Sequence, residues 1–190
     1  MYQKYHTEAI VLQSRELGEA DRNFALYSRD FGLVRARASA VRSERSKMRY
    51  ALQSYARANV SLVKGKRGWR TAGATALASV GRDPKGVAVF ARISELTLRL
   101  IHGEEPNQYL FSALADAHEA LTRAEVQAPA TIELVCVARI LYALGYLSTE
   151  ALQTSLLTHT AYGMEHMLEA ETMRDELLSS VNKAIAETQL

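Results

Sequence analysis

The sequence predicts an α+β chain in which a small basic β module, residues 1–80, is followed by an acidic helical bundle, residues 81–190. Apolar side chains alternate with period two through the first 80 residues and recur every three or four residues thereafter. The charge divides at the same place. Residues 1–80 carry 15 Lys/Arg against 6 Asp/Glu, a balance of +9, whereas residues 81–190 carry 8 against 15, a balance of −7. The whole-chain value of +2 conceals this division.

Ile10-Val11-Leu12 reads as a buried strand, and Phe24 to Ser28 as a second that ends at the turn-forming Arg29-Asp30-Phe31-Gly32. Over residues 32–40, Val34, Ala36, Ala38 and Ala40 fall on one face, and Leu33, Arg35, Arg37 and Ser39 on the other. Such a strand seats its back on a core and turns two arginines outward. Residues 60–69 read as a strand, a basic turn bounded by glycine and the start of another strand. Five short strands in this length suggest a small barrel or sandwich.

Gly81-Arg-Asp-Pro-Lys-Gly86 marks the boundary. Val89, Ile93, Leu96 and Leu100 then share a helix face, and His102-Gly-Glu-Glu-Pro106 closes that helix. Leu110, Leu114 and Leu121 mark a second helix. A third starts at Ala128-Pro129, buries Leu134, Ala138, Leu141 and Tyr142, and ends at Gly145. The remainder, through Leu156, Met164, Leu168 and Leu178, is helical in character.

Composition removes several classes. With 48% apolar residues the chain can build a core. Its apolar runs are far below membrane-spanning length. The N-terminus has no export-signal pattern, so a cytoplasmic location is expected. The lone Cys136 excludes an internal disulfide and a cysteine zinc cluster, and its apolar neighbours predict a buried thiol. His159, Glu165, His166 and Glu169 lie close together, but without the second histidine of a helical zinc-protease motif they read as a charged helix surface. Lys64-Gly-Lys-Arg-Gly68 lacks nucleotide-loop spacing, and no serine sits in a nucleophile elbow. Neither an enzyme nor a cofactor is expected.

Arg35, Arg37, Arg42, Arg45, Lys47 and Arg49 are opposed locally only by Glu44, and Lys64, Lys66, Arg67 and Arg70 form a second cluster. Cationic donors at this density suit phosphates. Tyr50, Tyr55 and Trp69 are interleaved with them, and aromatic rings beside a basic groove can stack unpaired bases. Nucleic acid is the expected partner, with Tyr55 and Trp69 as stackers. RNA in the same groove, or an acidic protein surface, remains open on these residues alone. In the helical half, Arg92, Arg99 and Arg139 sit among apolar residues and can receive an acidic peptide with a hydrophobic tip, or serve in surface ion pairs.

Thr7-Glu-Ala-Ile-Val-Leu-Gln-Ser-Arg15 followed by Leu17-Gly-Glu-Ala-Asp-Arg22 resembles the opening of bacterial RecO-type DNA repair and recombination proteins. Residues 28–35, the basic run 41–47, Leu52-Gln-Ser-Tyr55, Glu104-Glu-Pro-Asn107 with Leu110-Phe111, and residues 141–146 fit the same family in order. The resemblance extends to about residue 150. It implies an OB-fold barrel with a helical domain behind it. It also implies binding of single- and double-stranded DNA, strand annealing, and contacts with RecR and with the C-terminal tail of single-stranded-DNA-binding protein. Many relatives carry a four-cysteine zinc site after the position of Gly145-Tyr146. Residues 147–153 hold no cysteine, so no zinc is expected here.

Overall fold

The computed structural model describes residues 3–80, 83–123, 128–152 and 154–188; Gly81 and Arg82 of the boundary motif fall outside them. The chain forms two compact units, one of residues 1–79 with 101–108 and the other of residues 80–100 with 109–190.

In the first unit, β1 (Lys4–Leu17), β2 (Asp21–Ser28), β3 (Gly32–Ala38), β4 (Arg57–Gly65) and β5 (Gly68–Ala78) close into a barrel in the order β1-β2-β3-β5-β4. This five-stranded barrel is the OB-fold expected from the resemblance. All neighbours are antiparallel except β3 and β5. Each strand sends alternate side chains inward. Ala9 and Val11, Phe24 and Leu26, Val34, Ala36 and Ala38, and Val60 and Leu62 are buried together with Trp69. β3 follows the predicted alternation from Val34 to Ala38, with Arg35 and Arg37 outward. Leu33, expected beside the arginines, is buried. The short helix α1 (Met48–Ala51) and Leu52 cover one end of this core.

The stretch between the first two long helices belongs with the barrel. Gln108 Nε2 donates to the Arg29 carbonyl at 3.1 Å, and Lys64 pairs with Glu104 at 2.8 Å. Gly32 explains how the backbone comes so close. It takes φ of 63°, and a Cβ there would stand 2.2 Å from the Glu105 carbonyl oxygen.

The second unit comprises α2 (Pro84–Leu100), α3 (Gln108–Thr122) from Tyr109 onward, α4 (Pro129–Ala143), α5 (Thr149–Leu152), α6 (Met164–Thr172) and α7 (Arg174–Glu187). Pro129 opens α4 at its first turn. At the other end Gly145, at φ of 82°, donates to the Tyr142 carbonyl while Tyr146 N–H donates to Leu141 O, a Schellman closure. Val135, Ala138 and Leu141 of α4 pack with Leu156 and Leu157 and with Leu177 and Val181 of α7. Leu156 lies in an irregular stretch rather than a helix, and Met164, Leu168 and Leu178 are exposed.

Among the described residues, no helix is long and apolar enough to cross a membrane.

Candidate nucleic-acid interface

The barrel stagger assembles an outward basic row that crosses every strand. Strand pairing places Lys4 beside Val63, Val63 beside Arg70, Arg70 beside Arg37, Arg37 beside Asn23, and Asn23 beside Arg15. Four of these six positions are cations, all exposed, on strands about 5 Å apart. Arg35 stands two residues from Arg37 on the same face of β3.

The β4–β5 hairpin adds a second group. Gly65 and Gly68 are paired, and the φ of 96° at Gly68 lets the Lys66-Arg67 tip turn tightly. Lys4, Lys66, Arg67 and Arg70 line an adjoining cleft of about 460 Å³. In five-stranded barrels of this topology, the β2–β3 face and the β1–β2 and β4–β5 loops carry oligonucleotides. The third group, Arg42, Arg45, Lys47 and Arg49, comes from the β3–α1 loop and α1.

Ion pairing separates the committed cations from the available ones. Arg37 Nε donates to Asp21 at 2.9 Å, Lys64 pairs with Glu104, and Arg42 lies 3.3 Å from Glu16. Asp21 also accepts the Ala40 N–H at 2.8 Å, and that bond, then Arg37, holds its carboxyl below the usual range. Lys64 likewise lowers Glu104. Arg35, Arg45, Lys47, Arg49, Lys66, Arg67 and Arg70 are exposed and make no ion pair among the described residues.

The assignment of Trp69 needs correction. Trp69 is 6% exposed and packs edge-on against Tyr5 at 5.5 Å, with Phe31 at the same distance, so it belongs to the core and offers no face to a base. Lys64 covers its ring at 5.0 Å. Tyr55 is half-buried at φ of 64°, its N–H donating to Val11 O. Tyr50 is the outward aromatic, 67% exposed beside Arg49.

In the helical unit, Arg139 is also corrected. It is fully buried, and its guanidinium donates to the carbonyls of Leu156, Thr160 and Ala161 at 2.9, 2.7 and 3.0 Å, with the Tyr162 ring 4.6 Å away. It anchors the irregular stretch and is unavailable to a peptide. Arg92 grips Glu133 of α4 through two hydrogen bonds, whereas Arg99 is exposed without an ion pair among the described residues. Glu169 accepts from the Thr154 hydroxyl at 2.6 Å and from Ser155, which gives that carboxylate a structural role.

Sequence reading missed Lys4, Arg15 and Arg22. The first two join the basic row through strand register, and only the LGEADR run surrounding Arg22 drew attention to it.

The family model described as "Recombination protein O N terminal" matches residues 1–75, and "Recombination protein O C terminal" matches residues 81–148. The DNA repair protein RecO of Desulfitobacterium hafniense strain Y51 is 44% identical over 62 residues, 33% of this chain. The protein of the same name from Pelotomaculum thermopropionicum is 29% identical over 126 residues, 65% of this chain. The matched stretches span 23% and 49% of those two relatives.

Proposed function

This chain belongs to the recombination protein O family, and from that premise we propose that it acts in DNA repair and homologous recombination as a strand-holding mediator. The basic row across the barrel carries the reading. A single strand lies along Arg35 and Arg70 and onto the Lys66-Arg67 hairpin, with Arg45, Lys47 and Arg49 extending the track and Arg37 and Arg42 joining it in competition with Asp21 and Glu16. Tyr50 takes the stacking role for which the buried Trp69 is poorly placed, with the half-buried Tyr55 as the second stacker.

Neutralised phosphates repel a second strand less, so a complementary strand can approach and pair without nucleotide hydrolysis. Double-stranded DNA engages the same cations through its backbone. The chemistry needs positioned charge and no catalytic group.

The helical unit, on this reading, docks RecR or the acidic tail of single-stranded-DNA-binding protein. Arg99 and Arg92 remain the cations for such contacts, Arg92 in competition with Glu133. An apolar groove of about 400 Å³ lined by Ile132, Tyr162, Met167 and Leu168, with Arg123 at its rim, offers a seat for a hydrophobic tip.

The test is annealing of complementary fluorophore- and quencher-labelled oligonucleotides without nucleoside triphosphate. Acceleration by the wild-type chain, reduced by Arg35→Gln with Arg70→Gln, is expected. A rate equal to the protein-free rate would contradict the proposal.

A further inference from the structure

At the barrel end where β2 begins, three arginines line one cleft of about 280 Å³. Its floor is Phe24, Val41 and Leu52, all buried. Arg22 lies two residues before Phe24, so strand alternation points both to the same side. The Arg22 Nε is buried and, among the described residues, donates to nothing. Arg42 arrives from the β3–α1 loop, tied down by its own N–H to the Ala20 carbonyl at 3.1 Å. Arg49 comes from α1, exposed and without an ion pair among the described residues.

Among the described residues, a single carboxylate serves this cluster. Glu16 reaches Arg22 at 3.2 Å and Arg42 at 3.3 Å from its two oxygens, while more than half exposed itself. Three positive charges against one negative leave the cleft cationic. An unsatisfied buried donor on a charged group carries an energetic penalty that an incoming acceptor removes. Guanidinium forks match the oxygens of a phosphate better than any other common ligand group. The volume lies just under the range of about 300–1,000 Å³ typical for whole small molecules, so it fits a group.

We propose that this cleft is a phosphate-binding subsite and that the Glu16 carboxylate is its resident stand-in. An arriving phosphate displaces Glu16 from between Arg22 and Arg42, accepts from the idle Arg22 Nε and gains Arg49. The inference rests on the strand-holding reading in taking a backbone phosphodiester as the natural occupant. A free phosphate ion shares the chemistry.

The test follows the Arg22 Nε–H signal of the isotopically labelled full chain by NMR. Inorganic phosphate is titrated in one arm, and a 30-nucleotide single strand without terminal phosphates in the other. Arg22 serves as reporter, and the substitutions fall on Glu16 and Arg49, whose exposed side chains leave the core intact. Both probes are expected to move the signal. Glu16→Gln tightens phosphate binding about two- to fivefold, the range of an exposed ion pair. Arg49→Gln reduces the salt slope of strand binding by about 0.7, one single-strand phosphate contact. Movement with inorganic phosphate but not with the strand assigns the subsite to the free ion. A signal unmoved by either probe, or a Glu16→Gln affinity equal to wild type, overturns the proposal. Failure of the strand-holding reading is seen separately, as absent strand binding with the phosphate response intact.

Discussion

Arg37 on β3 and Arg70 on β5 are register partners on the only parallel seam of the barrel, so two guanidinium groups start from neighbouring positions on one outer face. Like charges opposite one another destabilise a sheet. Asp21 relieves the pair from one side by taking both Nε and a terminal nitrogen of Arg37. The Arg70 charge is left uncompensated among the described residues, which makes sense if its counter-ion is a ligand. Arg70→Gln is therefore expected to leave thermal stability unchanged or raise it by up to about 1 kcal/mol. The same substitution weakens oligonucleotide binding, as calorimetry and anisotropy on one preparation would show.

The two aromatic positions separate packing from stacking. Trp69→Ala empties a core site and should cost about 3–5 kcal/mol in denaturant unfolding. Tyr50→Ala should leave unfolding within about 0.5 kcal/mol of wild type and weaken single-strand binding by about 1–3 kcal/mol. Equal loss of binding in a folded Trp69 variant would return the tryptophan to the interface.

Arg139 holds the carbonyls of Leu156, Thr160 and Ala161. Arg139→Gln is expected to destabilise the helical unit by about 3 kcal/mol, since bonds to a charged donor are worth roughly 1.5–3 kcal/mol and stranded carbonyls add to the loss. Thermal unfolding of the full chain measures this. The barrel's strand binding at low temperature should persist.

Acid sensitivity follows from Asp21. Its folded carboxyl titrates below the ordinary aspartate value, because the Ala40 N–H and then Arg37 favour the charged form. A depressed pKa contributes stability above the unfolded value of about 3.9, lost as pH falls through the folded value. Glu104 and Glu169 shift in the same direction. Unfolding midpoints should be flat from pH 7 to about 5 and fall below 4. Asp21→Asn should be less stable than wild type at pH 7, with the gap closing in acid.

Much of this architecture was legible because it is local. Arg35 and Arg37 alternate with Val34, Ala36 and Ala38, and a period of two on one strand needs no knowledge of its neighbours. Gly145 ended α4 as expected because a left-handed closing residue is a local requirement. Register was not legible. Nothing in the sequence near Lys4 or Arg15 announces Arg70 or Arg37 as companions, since the stagger of a closed barrel decides that pairing. Trp69 was misplaced for the same reason, because the alternation of β5 around it is weak and its inward side follows from pairing with Ala36. Arg139 misled because arginine is almost never fully buried, and the carbonyls that receive it lie 17 to 22 residues away in a segment that reads as helix. His102-Gly-Glu-Glu-Pro106 read only as the stop of α2, yet residues 101–108 pack with the barrel through the open side of Gly32.

The most direct measurement is anisotropy titration of a labelled single-stranded 30-mer with the full chain across a series of salt concentrations. With about six phosphates engaged by the basic barrel, the log–log slope should be near −4, and Arg35→Gln with Arg70→Gln should flatten it. A slope near zero, or no binding at low salt, would contradict the strand-holding account.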